Sequence, residues 1–163
     1  MLKGRTGYSD GRGEKGLRLA LAERTSERTG QSSSADQVMC FPGTQTALYA
    51  VLLGVAETGD EVLVGDPMYA TYEGIVRASG ANMVSVPLRA GNGFRMTAND
   101  VAKAITPHTT ALLLTTPHNP TGAILSEPDI WEIGQLALQH DLWIISDEVY
   151  EELVFTDTTF TSA

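Results

Sequence analysis

The chain has 163 residues, of which 42% are hydrophobic, so it is long enough for one domain with a core. Its formal net charge is −9 and its 11 basic residues are mostly scattered, which argues against nucleic acid or an anionic membrane as the main partner. No apolar run approaches the ~20 residues needed to cross a bilayer, no signal-peptide segment is evident, and Cys40 is the single cysteine. We therefore expect a cytoplasmic protein.

Predicted helices and strands alternate along the chain in a regular order. Gly30 lies just past the end of the first helix, and Thr97 opens a later one with Asp100 three positions on, as in a capping box. Pro128 lies in the first turn of the last helix. In chain order the predictions are helix 13–28, strand 38–41, helix 45–57, strand 61–65, helix 69–79, strand 82–88, a short helix to 105, strand 110–115, a helix from 126 and strand 142–146.

This alternation predicts the fold class. A strand recurs about every 20–30 residues with a helix between, which is typical of a largely parallel sheet. The predicted class is therefore α/β, with a mostly parallel sheet that has helices on both faces. We predict an N-terminal helical segment over residues 1–30 and the α/β domain over residues 31–163.

Polar residues follow two of the early strands directly, at the sheet edge where α/β proteins bind ligands. Gly43, Thr44 and Gln45 lead from the first strand into a helix. A glycine turn with free N–H groups and a hydroxyl suits a phosphate, although the same pattern also forms a plain helix cap. Tyr69 follows the second strand, where it would stack on an aromatic ligand or pack against its own helix.

The last two strand ends supply a neutral donor and a carboxylate. Asn119, followed by Pro120, suits a side-chain donor or belongs to an ordinary turn. Asp147 and Tyr150 follow the final strand, where a buried carboxylate needs a cation or several hydrogen bonds, unless it forms a salt bridge or a helix cap. His118 has no evident partner, so we expect a structural role for it.

Together these residues describe one pocket with an anion cradle, a stacking ring, a neutral donor and a carboxylate near a phenol. Pyridoxal phosphate needs these parts, because it carries a phosphate, a flat ring, a protonated ring nitrogen and a phenolic oxygen. We therefore predict pyridoxal 5′-phosphate as the cofactor and no metal site.

The chain resembles the class I/II aminotransferases, which are fold-type I enzymes that use pyridoxal phosphate. The segments that carry the resemblance are 8–18, 43–48, 66–69, 117–122 (PHNPTG) and 146–150 (SDEVY). The resemblance implies a homodimeric enzyme that moves an amino group between an amino acid and a 2-oxo acid. Within the family, the chain looks most similar to aspartate aminotransferase-like bacterial enzymes, including those that act on arginine with pyruvate.

The resemblance implies that one group of residues binds the cofactor phosphate. Gly43, Thr44 and Gln45 would hold the phosphate within one subunit. Tyr8 matches a family tyrosine that reaches the phosphate bound by the partner subunit. This residue is the reason why the resemblance implies active sites shared across a dimer.

A second group would hold the cofactor ring. Tyr69 would stack on the ring, and Asn119 and Tyr150 would hydrogen-bond its oxygen. Asp147 would pair with the ring nitrogen and keep it protonated. The candidate catalytic residues are therefore Asp147 and Tyr69. The family also implies a cis peptide bond between Asn119 and Pro120.

The family's cofactor-attaching lysine has no counterpart in this sequence. The lysines are Lys3, Lys15 and Lys103, and none follows Tyr150. We therefore expect a piece of a longer protein, in which residues 31–163 form part of the cofactor-binding large domain and the C-terminal small domain is absent. By itself this stretch should lack transaminase activity, because the missing lysine moves the proton in the reaction.

Three other functions remain open at this stage. β-Lyases and some synthases share the same motifs and cofactor, and fold alone does not fix the reaction. An aminotransferase-like domain also acts as the sensor of some bacterial transcription regulators, next to a basic DNA-binding module that this sequence does not show. A nicotinamide-binding domain is a weaker alternative, because no Gly-x-Gly-x-x-Gly motif follows a strand.

Overall fold

The fold is described from a computed structural model, which covers residue 4, residues 7–155 and residues 157–163. The chain divides into two units, Met1–Gly43 and Thr44–Ala163. In the described part of the chain, every helix is too short or too polar to span a lipid bilayer.

The N-terminal unit is organised by one helix, α1 (Lys15–Thr29). As predicted, Gly30 follows the end of the helix, where it adopts a left-handed conformation and donates its N–H to the Ser26 carbonyl. Arg18 is buried in this unit, and its guanidinium donates to the backbone carbonyls of Gly13 and Ala35. A buried guanidinium needs such acceptors, so Arg18 fixes the segments on either side of α1.

The predicted strand over residues 38–41 is wrong. Val38 has an extended backbone, but the described residues form no sheet ladder with this segment. The N–H of Cys40 instead donates to the carbonyl of Arg12, within the same unit. An apolar run becomes a strand only where a partner strand takes its backbone hydrogen bonds, and here a loop takes them.

Four parallel strands form the sheet of the second unit. The described strands are β1 (Glu61–Asp66), β2 (Asn82–Pro87), β3 (Thr109–Thr115) and β4 (Trp143–Asp147). Their order in the sheet is β2-β1-β3-β4, and each neighbouring pair is parallel. All four agree with the predicted strands to within about one residue at each end, and the central strands β1 and β3 are the near-continuous apolar runs typical of buried parallel strands.

Four helices connect and cover these strands. They are α2 (Thr44–Val55), α3 (Tyr72–Ala78), α4 (Ala98–Ala104) and α5 (Glu127–His140). The Thr97 side chain caps α4 by accepting from the N–H of Asp100, and Ser126 forms a reciprocal capping box with Asp129 at α5. Helix α3 begins three residues later than predicted, because Tyr69 to Thr71 form a turn.

Two apolar layers pack on opposite faces of the sheet. On one face, Leu48 and Leu52 of α2 pack with Val64 of β1 and Leu113 of β3. On the other face, Ile133 of α5 belongs to a layer with the strand residues Leu63, Leu112 and Leu114. Consecutive strand residues point to opposite faces, so an unbroken apolar run supplies both layers. Helices on both faces confirm the predicted α/β class.

Candidate active site

The topology favours a ligand site at the carboxyl ends of β1 and β3. The strand β2 lies on one side of β1, and the later strands β3 and β4 lie on the other side. At such a reversal, the two loops that leave neighbouring strands diverge and open a crevice. The loop after β1 carries Tyr69, the loop after β3 carries Asn119, and β4 ends at Asp147.

Asp147 is buried at this edge, with 6% of its surface exposed. Its backbone lies beside Thr115 in the β3–β4 ladder, and its carbonyl accepts from the N–H of Thr116. One carboxylate oxygen accepts from the Tyr72 hydroxyl at 2.7 Å, and the other accepts from the N–H of Val149 at 3.2 Å. Both donors are neutral, so neither compensates the negative charge of this carboxylate.

Tyr72 is a site residue that the sequence reasoning missed. It is the first residue of α3, only 3% of it is exposed, and its hydroxyl lies between Asp147 and the Thr115 hydroxyl, 2.9 Å from the latter. Burial raises the pKa of the Tyr72 phenol far above its ordinary value, and the nearby Asp147 carboxylate adds to this effect. The available signal was a tyrosine on the buried face of a helix, since such a hydroxyl requires a partner.

Asn119 and Tyr150 meet although they lie in loops after different strands. The Asn119 side-chain amide donates to the Tyr150 hydroxyl at 3.1 Å, and both side chains are half-buried. The Asn119–Pro120 peptide bond is cis, which confirms that prediction; the peptide bonds before Pro67 and Pro117 are cis as well. Two neutral groups capable of donating therefore lie side by side in the loops after β3 and β4.

Tyr69 lies on the turn before α3, with 37% of its surface exposed. Its ring is nearly perpendicular to the ring of Tyr72, at an interplanar angle of 77° and a centroid distance of 5.8 Å. This edge contact is a favourable aromatic geometry and orients the exposed ring. Tyr69 thus adjoins the residue that contacts Asp147.

His118 joins the loops that follow β1 and β3. It is buried, its Nδ1 lies 2.7 Å from the Thr121 hydroxyl, and its ring N–H donates to the backbone carbonyl of Pro67. Burial lowers the pKa of His118 below its ordinary value, while the hydrogen bond to Pro67 opposes this shift. These contacts hold Asn119 and Tyr69 on adjoining loops, which is a structural role.

The remaining candidates are Gly43, Thr44, Gln45 and Tyr8, and the first three follow a loop rather than the strand predicted over residues 38–41. Thr44 is the first residue of α2 and is half-buried, and Gln45 follows it on the exposed surface. Gly43 has a φ of 98°, a conformation that favours glycine, and a Cβ there would meet no neighbour. Tyr8 is fully exposed in the N-terminal unit. The described residues include no cluster of His, Cys, Asp and Glu that could hold a metal ion.

Comparison with known proteins decides the family. The profile of the family "Aminotransferase class I and II" matches residues 1–163. The chain belongs to the class I and II aminotransferases. An arginine–pyruvate transaminase of Pseudomonas aeruginosa is 50% identical over 155 residues, which cover 95% of this chain and 39% of that protein. A probable N-succinyldiaminopimelate aminotransferase of Mycobacterium tuberculosis is 40% identical over 91% of the chain and 38% of its own length.

Solved aminotransferase structures have the same fold as this chain. The aspartate aminotransferase from Thermus thermophilus with maleate superimposes with a TM-score of 0.94 at 34% identity, over 98% of this chain and 42% of that one. An aromatic aminotransferase from Pyrococcus horikoshii has the same TM-score and identity, over 98% of this chain and 43% of its own. The chain therefore spans about two-fifths of the length of these aminotransferases.

The donors and acceptors at this edge fit a planar cofactor with one cationic end. A buried carboxylate with neutral donors suits a protonated ring nitrogen, because a buried anion is stabilised by a cation. The Asn119–Tyr150 pair suits a ring oxygen, and the exposed Tyr69 ring suits stacking on a flat ring. The observed residues thus fit pyridoxal phosphate, the cofactor expected for an aminotransferase.

Proposed function

We propose that this chain forms part of the cofactor-binding site of a pyridoxal-phosphate-dependent aminotransferase that moves an amino group between an amino acid and a 2-oxo acid. The observation that carries the proposal is the buried Asp147 at the β1/β3 crevice, beside the Asn119–Tyr150 pair. Family membership and the 50% identity to an arginine–pyruvate transaminase support it, and they favour a basic amino acid as the donor and pyruvate as the acceptor.

Each candidate residue of the cofactor site has a separate task in this proposal. When bound, pyridoxal phosphate supplies a conjugated ring that accepts electron density from the substrate. The Asp147 carboxylate accepts a hydrogen bond from the ring nitrogen and keeps the proton on that atom. Asn119 and Tyr150 donate to the ring oxygen and fix the rotation of the ring. The Tyr69 side chain covers one face and excludes water from it.

The phosphate would be held at the start of α2. The first N–H groups of a helix have no partner within the helix and favour an anion, and the Thr44 hydroxyl adds a donor. Gly43 and Gln45 are the neighbouring candidates. In the full enzyme we propose a homodimer in which Tyr8 contacts the phosphate bound by the partner subunit.

Calorimetric titration with pyridoxamine 5′-phosphate tests this proposal. This probe has no aldehyde, so it cannot react with surface lysines, and saturation reports the pocket alone. We expect saturable binding with one site per chain. The Asp147→Asn variant preserves the size of the side chain and removes its charge. A charge-assisted hydrogen bond contributes about 1.5–3 kcal/mol, so the variant should bind at least about tenfold more weakly.

The matched control is Glu132→Gln, which makes the same carboxylate-to-amide change on the exposed surface of α5. It should leave the affinity unchanged. Absence of saturable binding, or equal affinities for the Asp147 variant and this control, would contradict the proposed function.

A further inference from the structure

We propose that Tyr72, oriented by Thr115, is the positioning residue that sets Asp147 to meet the ring nitrogen of the cofactor. The inference rests on the proposed function and assigns a task to a residue outside the set of cofactor contacts. Three elements supply the three side chains, because Tyr72 begins α3, Thr115 ends β3 and Asp147 ends β4. Thr115 and Asp147 are direct partners in the parallel ladder.

The direction of each hydrogen bond follows from the chemistry of the three groups. A carboxylate only accepts, so the single proton of the Tyr72 hydroxyl points to the Asp147 oxygen at 2.7 Å. The Tyr72 oxygen then serves as acceptor for Thr115, whose hydroxyl lies 2.9 Å away. Thr115 donates to Tyr72 and Tyr72 donates to Asp147, and such a chain strengthens each bond in it.

The Tyr72 phenol keeps its proton, and so remains a donor, at and around neutral pH. Burial raises the pKa of Tyr72, so the hydroxyl does not ionise where aminotransferases work. A neutral donor leaves the charge of Asp147 uncompensated, whereas a lysine or arginine in its place would neutralise the carboxylate. Tyr72 therefore fixes the carboxylate without taking away the charge that attracts the ring nitrogen.

The orientation of Asp147 is set at both oxygens. Tyr72 holds one oxygen, and the N–H of Val149 holds the other at the longer distance of 3.2 Å. An ionised carboxylate has about four lone-pair positions, so positions remain for a further donor. Because the side chain is buried, loss of the shorter of these bonds would let the carboxylate rotate away from the ring nitrogen.

The test compares two probes that differ only at the ring nitrogen. One is pyridoxamine 5′-phosphate, and the other is its analogue with a CH group in place of that nitrogen. In Tyr72→Phe, affinity for the first probe should fall about tenfold and affinity for the second should change less than about twofold. Thr115→Val should also weaken binding of the first probe selectively, by a smaller factor. It serves as the second variant if Tyr72→Phe folds poorly.

The control is Tyr49→Phe, which removes a hydroxyl from an exposed tyrosine of α2 and should affect neither probe. Equal losses for both probes in Tyr72→Phe and Thr115→Val would show a merely structural role and overturn the inference. Unchanged or tighter binding of pyridoxamine phosphate would also overturn it. If the unmodified chain binds neither probe, the proposed function itself fails, and this result is distinct from the two others.

Discussion

The hydrogen bond between Asn119 and Tyr150 should stabilise the fold before any ligand binds. The amide nitrogen and the hydroxyl oxygen are 3.1 Å apart, and both side chains are half-buried. A neutral hydrogen bond contributes about 0.5–1.5 kcal/mol net to the free energy of unfolding. Since water reaches both groups in part, we expect a coupling energy of about 1 kcal/mol, which is about a fivefold change in the folded-to-unfolded ratio.

A double-mutant cycle measures this coupling directly. The variants are Asn119→Ala, Tyr150→Phe and the combination of the two, and the assay is urea denaturation followed by far-ultraviolet circular dichroism. The control cycle combines Asn119→Ala with Tyr49→Phe on the exposed surface of α2, and it should be additive within about 0.5 kcal/mol. A coupling energy for Asn119 and Tyr150 no larger than that of the control cycle would refute the account of a preformed pair.

Further predictions concern the core and the pH dependence of stability. Leu52→Ala should lower the free energy of unfolding by about 3–5 kcal/mol because Leu52 is fully buried, whereas Leu53→Ala, at a position with 54% exposure, should cost less than about 1 kcal/mol by the same urea assay. Gly65→Ala should destabilise the sheet, because the added Cβ would lie 2.9 Å from a methyl group of Leu88, and a lower melting temperature would show it. Burial lowers the pKa of His118, so the unfolded chain binds a proton first, and the free energy of unfolding should fall as the pH drops below about 6.5. Between about pH 7.5 and about pH 5.5, the free energy of unfolding should fall less in His118→Gln than in the unmodified chain. An equal fall in both proteins would contradict a buried neutral imidazole at His118.

The strands of the sheet were predictable because their signal is local. Four of the five predicted strands exist: the central strands β1 and β3 are buried apolar runs, and the edge strands β2 and β4 are shorter apolar segments between polar or turn residues. The fifth, over residues 38–41, has the same apolar character but no partner strand in the described part of the chain. Whether a run joins a sheet depends on distant pairing, which composition does not encode.

The candidate site shows the same division between local and distant information. Asp147 ends β4, and Asn119 and Tyr150 lie in the loops just after β3 and β4, so their position at one edge of the sheet could be inferred from the sequence. The role of Tyr72 could not be inferred from the sequence, because it depends on the β3–β4 register and on the packing of α3. Nothing within a few residues of Tyr72 in the sequence distinguishes it from an ordinary core tyrosine.

Asp147 is proposed to keep the ring nitrogen of the cofactor protonated, and a measurement of the protonation state of that nitrogen in a bound probe tests this role most directly. Pyridoxamine 5′-phosphate labelled with ¹⁵N in the ring reports this state through its chemical shift. At a pH where the free probe is unprotonated at that nitrogen, we expect a protonated shift when the probe is bound to this chain and an unprotonated shift when it is bound to Asp147→Asn. An unprotonated shift in both proteins, or a protonated shift in both, would contradict the role given to Asp147.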